Sequence, residues 1–417
     1  MPEHVLIVGG GLELIPLFRL IDPAVRTTVL CRMSLAPKVL KTGAHARVLA
    51  VGHAAPAAEW IAIARAVNAS DPFTRLASLA ERDQDKAAAI GEALGLEMHS
   101  QATTRLVQHK PDMRACLAEA GIDDTPYAVV RDACELRSFL AAHGGPCIVK
   151  PAAGYASIGI RRIDGEQDVE LALAAAGRDD EWAHGGVLAE RLHEGPQYSV
   201  EAFSEGGEHE IVGVTAKYSD PVTFIELGHV VPAPVSTRRR AAMAGYVTGV
   251  LDALRIRFGP THTEIVWTAG GPRLIETHIR LGGDEIPQLV QAALGVDLLG
   301  HTVRQVLGHR VLPEIRACLR AAAGRRSEAV WFASLPVRGT LEAVEGLDEA
   351  RAMSGVTEVR TLADPGAELT GLDSSRSRLA LARASADDAD AAVRLARAAV
   401  ARLRFRLVTT VADQATI

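Results

Sequence analysis

The sequence lacks the features of secreted, membrane-spanning and zinc-binding proteins. Its five cysteines are scattered, with no C-x-x-C pair and no cysteine–histidine spacing typical of a zinc site. This pattern favours a reducing compartment and argues against a structural zinc centre. No apolar run is long enough to span a membrane, and the amino terminus has neither the basic region nor the cleavage site of a signal peptide. We therefore expect a cytoplasmic protein without a membrane partner.

An excess of positive charge is also missing. The formal net charge is −6, which argues against a protein that binds nucleic acid by neutralising its phosphates. The dense basic cluster at 238–240 opens a segment with a helical pattern, and a solvated helix face explains it best. With 48% hydrophobic and 23% charged residues, the composition is that of an ordinary globular protein. A chain of 417 residues exceeds one compact core, so we expect about two to four domains.

The amino-terminal part alternates strand and helix patterns, which predicts a βαβ-type domain with a parallel sheet. Strands are predicted at 4–9, 27–31 and 46–51, and a helix at 83–96. Three glycines, at 9–11, follow the first strand. However, Leu14 stands where a dinucleotide-binding fingerprint has its third glycine, and no acidic residue closes a strand near position 30. A structural strand-to-helix turn is therefore the favoured interpretation.

The character of the sequence changes from about residue 104. A predicted helix has Pro111 near its start and Gly121 at its end. A strand-rich region follows at 211–290, interrupted by a helix at about 237–254, and the chain closes with a predicted Ala/Arg-rich helix at 387–405. The pattern shows no internal repeat. The predicted domain boundaries are 1–103, 104–186, 187–325 and 326–417.

A lysine at the end of an apolar strand precedes a loop of small residues in the segment IVKPAAGYASIGI. The lysine is Lys150, and the small residues include Gly154, Ser157 and Gly159. Small residues let backbone N–H groups approach phosphate oxygens, while the lysine supplies a positive charge, so the segment suits a polyphosphate. It is not a P-loop, because no G-K-[ST] follows. An ordinary hairpin is the alternative interpretation.

Two glutamates are predicted to face each other across the hairpin TEIVWTAGGPRLIETHIR. With its turn centred on Gly270, Glu264 lies opposite Glu276, at roughly 5 Å between Cβ atoms. Two carboxylates so close need a cation, and carboxylates with nucleotide phosphates are usual Mg²⁺ ligands. Because alternate side chains of a strand share a face, Glu276, His278 and Arg280 would point the same way. Two glutamates on a surface hairpin are the alternative.

The order and spacing of these segments resemble the ATP-grasp superfamily, and within it the L-amino acid (dipeptide) ligases. The similarity runs from about residue 80 to the C-terminus. HKPDMRACLAEAGI resembles the segment with the first ATP lysine, and LAERLHEGPQYSVE resembles the adenine clamp, in which Glu190 would accept from the adenine amino group. The resemblance implies ATP binding by Lys110, Lys150, Gly154, Ser157, Gly159, Glu190, Arg191, Leu192 and Gln197. Gln197 departs from the family, since many members have glutamate there to contact the ribose.

The resemblance also implies a metal site and a catalytic site. Glu264, Glu276 and His278 would form the metal site, and Arg280 and Lys150 would be catalytic, with Arg280 stabilising the transferring phosphoryl group. Many relatives have asparagine where His278 stands. Because imidazole is a poor ligand for Mg²⁺ and a better one for Mn²⁺, His278 is predicted to contact phosphate or support the ligands; a purely structural histidine is the alternative. Mg²⁺ is the expected metal and Mn²⁺ the second option.

The implied substrate site contains residues from two segments. VTAKYSDPVTFIELGHVVPAPV resembles the family's substrate segment and contributes Glu226 and His229, and the hairpin contributes Arg280, Gly283 and Asp284. We expect Arg280 to hold the carboxylate end of an amino acid, and Glu226 or Asp284, with His229, to hold its amino end, since a buried ammonium group needs a partner. Alternatively, Asp284 caps the helix that begins near Ile286.

The resemblance implies an α/β (α+β) fold with a Rossmann-like N-terminal domain, a two-lobed ATP-grasp core and a small C-terminal α+β domain. It implies an enzyme that joins the carboxylate of an amino acid to an amine, and the expected amine is a second amino acid. The reaction would pass through an acyl phosphate and release ADP and phosphate. The loop at 153–159 would close over the site. A carboxylase that activates bicarbonate, a ligase for another carboxylate and a nucleotide-sensing module are alternatives; no biotin-carrier Met-Lys-Met is present. A homodimer is one option for the assembly.

Overall fold

The computed structural model describes residues 2–154, 158–177, 183–322, 326–372 and 374–408, without the side chains of 183–184. Its first domain contains a four-stranded sheet in the order β3-β2-β1-β4, and each pairing is parallel. The predicted βαβ-type opening is therefore confirmed. The strands are β1 (His4–Val8), β2 (Arg26–Arg32), β3 (Arg47–Val51) and β4 (Arg75–Ala77). The helices are α1 (Ile15–Ile21), α2 (Ala36–Val39), α3 (Ala57–Ser70) and α4 (Gln84–Leu94).

The three glycines after β1 allow a close contact between two loops. Gly11 has a φ of +89°, and a Cβ there would lie 2.3 Å from the Cβ of Leu79. The glycine turn therefore packs directly on the segment that follows β4. That segment carries Glu81 into the cleft described below.

Two helices lead from this domain into a second sheet. They are α5 (Gln101–Gln108) and α6 (Lys110–Glu119). The sheet has the order β5-β8-β6-β7, and its pairings are antiparallel. Its strands are β5 (Tyr127–Val130), β6 (Cys147–Gly154), β7 (Arg161–Ile163) and β8 (Ala183–Arg191), and its helices are α7 (Ala133–His143) and α8 (Val169–Ala176). Strand β8 crosses the predicted boundary between residues 186 and 187.

The largest sheet has eight strands and joins residues 197–278 to the C-terminal region. Its order is β13-β12-β9-β10-β11-β14-β18-β16. The first five strands in that order are β13 (Gly271–His278), β12 (Gly259–Thr268), β9 (Gln197–Glu205), β10 (Glu208–Ser219) and β11 (Glu226–Val231), and the last three are β14 (Ser327–Ser334), β18 (Arg378–Ala386) and β16 (Val356–Thr361). Because β11 pairs with β14, the sheet runs through the predicted boundary at 325/326, and the two regions share one core.

Helices cover this sheet, and a small third sheet completes the fold. The helices are α9 (Thr237–Ala253), α10 (Ile286–Leu294), α11 (Leu298–Val306), α12 (Leu312–Ala321), α13 (Leu347–Arg351) and α14 (Ala389–Val400). The third sheet contains β15 (Arg338–Glu345), β17 (Glu368–Thr370) and β19 (Arg404–Val408) in the order β17-β15-β19. The predicted helix at 237–254 is confirmed as α9. Among the described helices, none has the length and apolar character needed to cross a membrane.

The prediction for the last helix was wrong in its extent. The helix starts at Ala389, where Asp388 caps it, and ends at Val400 rather than at residue 405. Its buried alanines, Ala392, Ala396 and Ala399, fit the helical period. Residues 404–408 instead pair with β15. Tertiary strand pairing therefore overrides the helix propensity of the Ala/Arg composition.

Candidate functional site

A cleft of about 790 Å³ lies where the first domain, the second sheet and the eight-stranded sheet meet. Most of the predicted site residues line it: Lys110, Lys150, Gly154, Glu190, Arg191, Leu192, Gln197, Glu226, Glu264, Glu276, His278, Arg280, Gly283 and Asp284. His229 lies fully buried directly behind Glu226 and Asp284. Gly159 is not among the lining residues, because its position faces Ala175 O, 3.0 Å from a Cβ placed there. Ser157 lies outside the described residues.

The predicted glutamate pair forms, although the register next to the turn differs from the predicted one: a register shift between Glu264 and Ile265 produces the pairing. Glu264 pairs directly with Glu276 across the β12–β13 hairpin. Lys217 Nζ lies 2.6 Å from Glu264 Oε1, and Lys110 Nζ lies 3.2 Å from Glu276 Oε2. Burial alone would raise the pKa of both carboxyls, but these lysines outweigh it and hold each pKa well below its usual value. Both carboxylates are therefore ionised near neutral pH, as metal ligands must be.

The two predicted ATP lysines reach the cleft from different elements. Lys110, at the start of α6, donates to Gly154 O over 3.1 Å. Lys150, on β6, lies 2.7 Å from Glu190. Burial lowers the pKa of Lys150, and nearby Arg114 and Lys110 add to this effect against the attraction of Glu190. A desolvated lysine in such surroundings gains strongly from an additional anion such as a phosphate.

The predicted adenine contacts are partly occupied within the protein. Both oxygens of Glu190 accept from Arg114, over 2.9 and 3.2 Å, and one also meets Lys150. The pKa of Glu190, which burial would raise, is lowered to about 2 by these two cations. The backbone N–H groups of Arg191 and Leu192 donate to Pro126 O and Pro146 O. Base contacts through these two N–H groups are thus blocked in this structure, and the role of Glu190 towards adenine stays a prediction.

His278 and Arg280 face a carboxylate that the sequence did not reveal. Arg280 donates twice to Glu81 Oε2, over 2.9 and 2.7 Å. His278 lies between two carboxylates, with Nδ1 3.4 Å from Glu81 and Nε2 3.2 Å from Glu276. Burial lowers the pKa of His278, but Glu81 and Glu276 raise it above its usual value. Both ring nitrogens are therefore engaged, which favours a supporting role over direct metal ligation.

The predicted substrate residues form a compact charged cluster. His229 Nε2 lies 3.3 Å from Glu226 Oε2 and 3.4 Å from Asp284 Oδ2. Burial would lower the pKa of His229, but Glu226 and Asp284 raise it. The alternative that Asp284 caps α10 was wrong: Glu285 holds the N-cap position, without a side-chain cap, while Asp284 forms a two-pronged ion pair with Arg378. Because both oxygens of Asp284 accept from Arg378, this carboxylate does not cap the first N–H groups of α10.

Sequence reasoning missed Lys217, which connects the glutamate hairpin to this cluster. Lys217 is almost completely buried and contacts both Glu226 and Glu264. A compositional signal was present, because the chain contains only six lysines among 45 basic residues: Lys38, Lys41, Lys86, Lys110, Lys150 and Lys217. Arginine is the default surface cation here, so a lysine within an apolar strand indicates a specific role.

Two segments of the chain match known families. Residues 143–288 match the ATP-grasp domain, and residues 331–408 match the L-amino acid ligase C-terminal domain 2. An uncharacterized protein, y4rH, of Sinorhizobium fredii is 31% identical over 261 residues, which cover 62% of this chain and 52% of that protein. The D-alanine–D-alanine ligase of Streptomyces coelicolor is 31% identical over 166 residues, which cover 35% of this chain and 41% of the ligase. The chain thus spans about half the length of the curated relatives it matches.

Solved structures share the whole fold. The L-amino acid ligase from Bacillus licheniformis superposes with a TM-score of 0.80 at 20% identity, over 98% of this chain and 99% of that one. Phosphoribosylglycinamide synthetase from Anaerococcus prevotii gives a TM-score of 0.70 at 14% identity, over 98% of this chain and all of that one. These structures show the fold of the chain, and the predicted fold class is confirmed. The two family matches confirm the predicted resemblance to ATP-grasp proteins over residues 143–288 and to L-amino acid ligases over residues 331–408.

Proposed function

We propose that this protein is an ATP-dependent carboxylate–amine ligase that acts on an amino acid carboxylate, with a second amino acid as the amine. The observation that carries the proposal is the convergence of separate elements on one cleft. A lysine from α6, a lysine from β6, an opposed glutamate pair and an arginine all line it. This set matches what phosphoryl transfer requires, namely positioning and charge neutralisation rather than a protein nucleophile.

The glutamate pair supports Mg²⁺ as the cofactor of ATP. Glu264 and Glu276 are opposed and ionised, and hard carboxylate oxygens are the ligands that Mg²⁺ prefers. When bound, Mg²⁺ would neutralise part of the triphosphate charge. Lys217 and Lys110 each form an ion pair with one of these carboxylates. His278 would hold Glu276 in place rather than ligate, since its second nitrogen faces Glu81.

The proposed chemistry has two steps. A substrate carboxylate oxygen bonds to the γ-phosphorus of ATP, the bond to the bridging oxygen of ADP breaks, and an acyl phosphate forms. The amine nitrogen then attacks the acyl carbon, the carbon–oxygen bond to phosphate breaks, and an amide, phosphate and a proton are released. Lys110 and Lys150 would hold the triphosphate, and Arg280 would stabilise charge on the transferring group.

The geometry of the substrate cluster supports an ammonium ligand. Glu226, His229 and Asp284 offer ligand atoms within 4.8 Å of one another, and the two carboxylates lie 3.3 and 3.4 Å from His229 Nε2. When His229 is neutral, these carboxylates can accept from the α-ammonium group of an amino acid, which needs such partners when it is buried. Arg280 would face the carboxylate end.

A screen of phosphate release over pairs of amino acids, with product masses measured, tests the proposal. We expect release that requires ATP, a carboxylate and an amine together, and a product at the mass of the dipeptide. Release that requires bicarbonate and no amine would instead establish a carboxylase. The cofactor and substrates do not require a membrane, so we propose that the reaction takes place in the cytoplasm.

A further inference from the structure

We infer that Arg378, in the C-terminal segment, is a positioning residue that holds Asp284 against His229 and so shapes the amino end of the carboxylate substrate's pocket. The inference rests on the proposed function for its substrate, but its geometry stands independently. It gives the C-terminal region a specific task in a site that the ATP-grasp domain otherwise builds.

Every polar group of the Arg378 side chain is used to fix its position. Nη1 donates to Asp284 Oδ2 over 2.8 Å, and Nη2 donates to Asp284 Oδ1. Nε donates to Ser375 O over 2.7 Å, and the guanidinium stacks 4.0 Å above the Phe332 ring. The side chain is 11% exposed. A planar fork held on one face and along its edges is a rigid support for one carboxylate orientation.

The loop that Arg378 holds has a backbone that favours glycine. Asp284 and Glu285 have φ values of +57° and +66°, in the left-handed region that costs an ordinary residue about 1 kcal/mol or more. Two further arginines from the same C-terminal region, Arg360 and Arg383, pair with Glu285. Consecutive acidic residues in this conformation are thus held by arginines of β16 and β18. Such a conformation persists only where surrounding contacts enforce it.

The constraint reaches the substrate cluster through a single carboxylate. Asp284 Oδ2 accepts from Arg378 and also lies 3.4 Å from His229 Nε2. The Phe332 ring that supports Arg378 also meets His229 edge-on, with 6.2 Å between centroids. One side chain therefore joins the C-terminal region, the loop before α10 and strand β11. If Arg378 is removed, the loop is expected to relax and Asp284 to leave His229.

Titration of His229 in the Arg378→Gln variant separates positioning from simple charge. The groups that face His229 are Glu226, Asp284 and Lys217. If Asp284 moves away, His229 loses one anionic partner and its pKa falls. If Asp284 stays and only the arginine charge is lost, the pKa of His229 rises. The measurement is histidine-selective ¹⁵N NMR, with the signal assigned from a His229→Gln spectrum; a rise or no change overturns the inference.

Kinetics of the same variants provide the second measurement. We expect Arg378→Gln to raise the KM for the carboxylate substrate by about 10–100-fold, as for loss of a charge-assisted contact, with a much smaller change in kcat and unchanged ATP binding. Arg378→Lys should give an intermediate KM, because a lysine cannot make the two-pronged pair. Arg404→Gln is the matched control, since Arg404 lies in the same region, is 69% exposed and is 3.7 Å from Glu345.

The two tests fail in different ways. A wild-type protein without turnover for any pair of substrates would refute the proposed function, while the His229 titration would still decide the role of Arg378. A wild-type KM in Arg378→Gln, with turnover intact, would refute the inference and leave the function standing. If Arg378→Gln does not fold, the same comparisons are made with Arg378→Lys.

Discussion

Replacing Arg280 with alanine should impair chemistry far more than nucleotide binding. Arg280 lines the cleft and is held by two donations to Glu81 and one to Leu281 O, at 2.8 Å. Its side chain is 23% exposed, so solvent only partly screens its charge. Removing a pre-oriented charged donor of this kind lowers kcat by about 10²–10³-fold, which corresponds to about 2.7–4 kcal/mol of transition-state stabilisation. The ATP dissociation constant should change by less than about tenfold, because Lys110 and Lys150 remain.

Glu81→Gln is the companion variant to Arg280→Ala. It keeps the arginine charge but weakens its orientation, so kcat should fall by about tenfold, less than in Arg280→Ala. The assay combines steady-state ADP release with calorimetric titration of ATP in each variant. An Arg280→Ala enzyme with normal kcat and a raised KM would refute the reasoning and make Arg280 a docking residue. Equal losses in kcat and in ATP affinity would also refute the claim that Arg280 acts mainly in the transition state.

Three further predictions concern the metal, the nucleotide and the substrate. Glu276→Gln should raise the Mg²⁺ requirement of turnover while the melting temperature stays near that of the wild type; wild-type turnover at limiting Mg²⁺ would show a merely structural carboxylate. Lys150→Ala should weaken ATP binding in calorimetry and lower kcat, with exposed Lys38→Ala as the control, and an unchanged titration would contradict the assignment. The KM for the amino acid should fall as pH rises through the raised pKa of His229, because protonated imidazole competes with the substrate ammonium group for Glu226 and Asp284. The dependence of this KM on pH should be weaker in His229→Gln. A His229→Gln profile identical to that of the wild type would refute the competition.

Local sequence signals sufficed for the turn of the hairpin and for the helix that carries Lys110. Gly270 and Gly271 fix a tight turn that pairs Thr268 with Gly271, and a one-residue register shift between Glu264 and Ile265 then brings Glu264 opposite Glu276. The helix carrying Lys110 follows from Pro111 near its start and Gly121 beyond its end. The turn and the helix depend on contacts only a few residues apart, whereas no local signal in the sequence predicts the register shift at Glu264.

The residues that sequence reasoning missed depend on long-range contacts. Glu81 and Arg280 are 199 positions apart, and Asp284 and Arg378 are 94 apart. No periodicity or turn signal relates residues at such separations. Glu81 had one general indication, because it follows the carboxyl end of a parallel strand, where ligand sites of α/β sheets form. Lys217 could have been found from the rarity of lysine in this chain.

The central claim is that the substrate carboxylate itself attacks ATP, and isotope transfer tests it most directly. An amino acid with an ¹⁸O-labelled carboxylate is incubated with ATP, Mg²⁺ and an amine in bicarbonate-free buffer, and the released phosphate is examined by ³¹P NMR. Our account predicts that one labelled oxygen appears in each phosphate, since the acyl carbon–oxygen bond breaks when the amine attacks. Phosphate released without the label, although amide is formed, would contradict the acyl-phosphate mechanism.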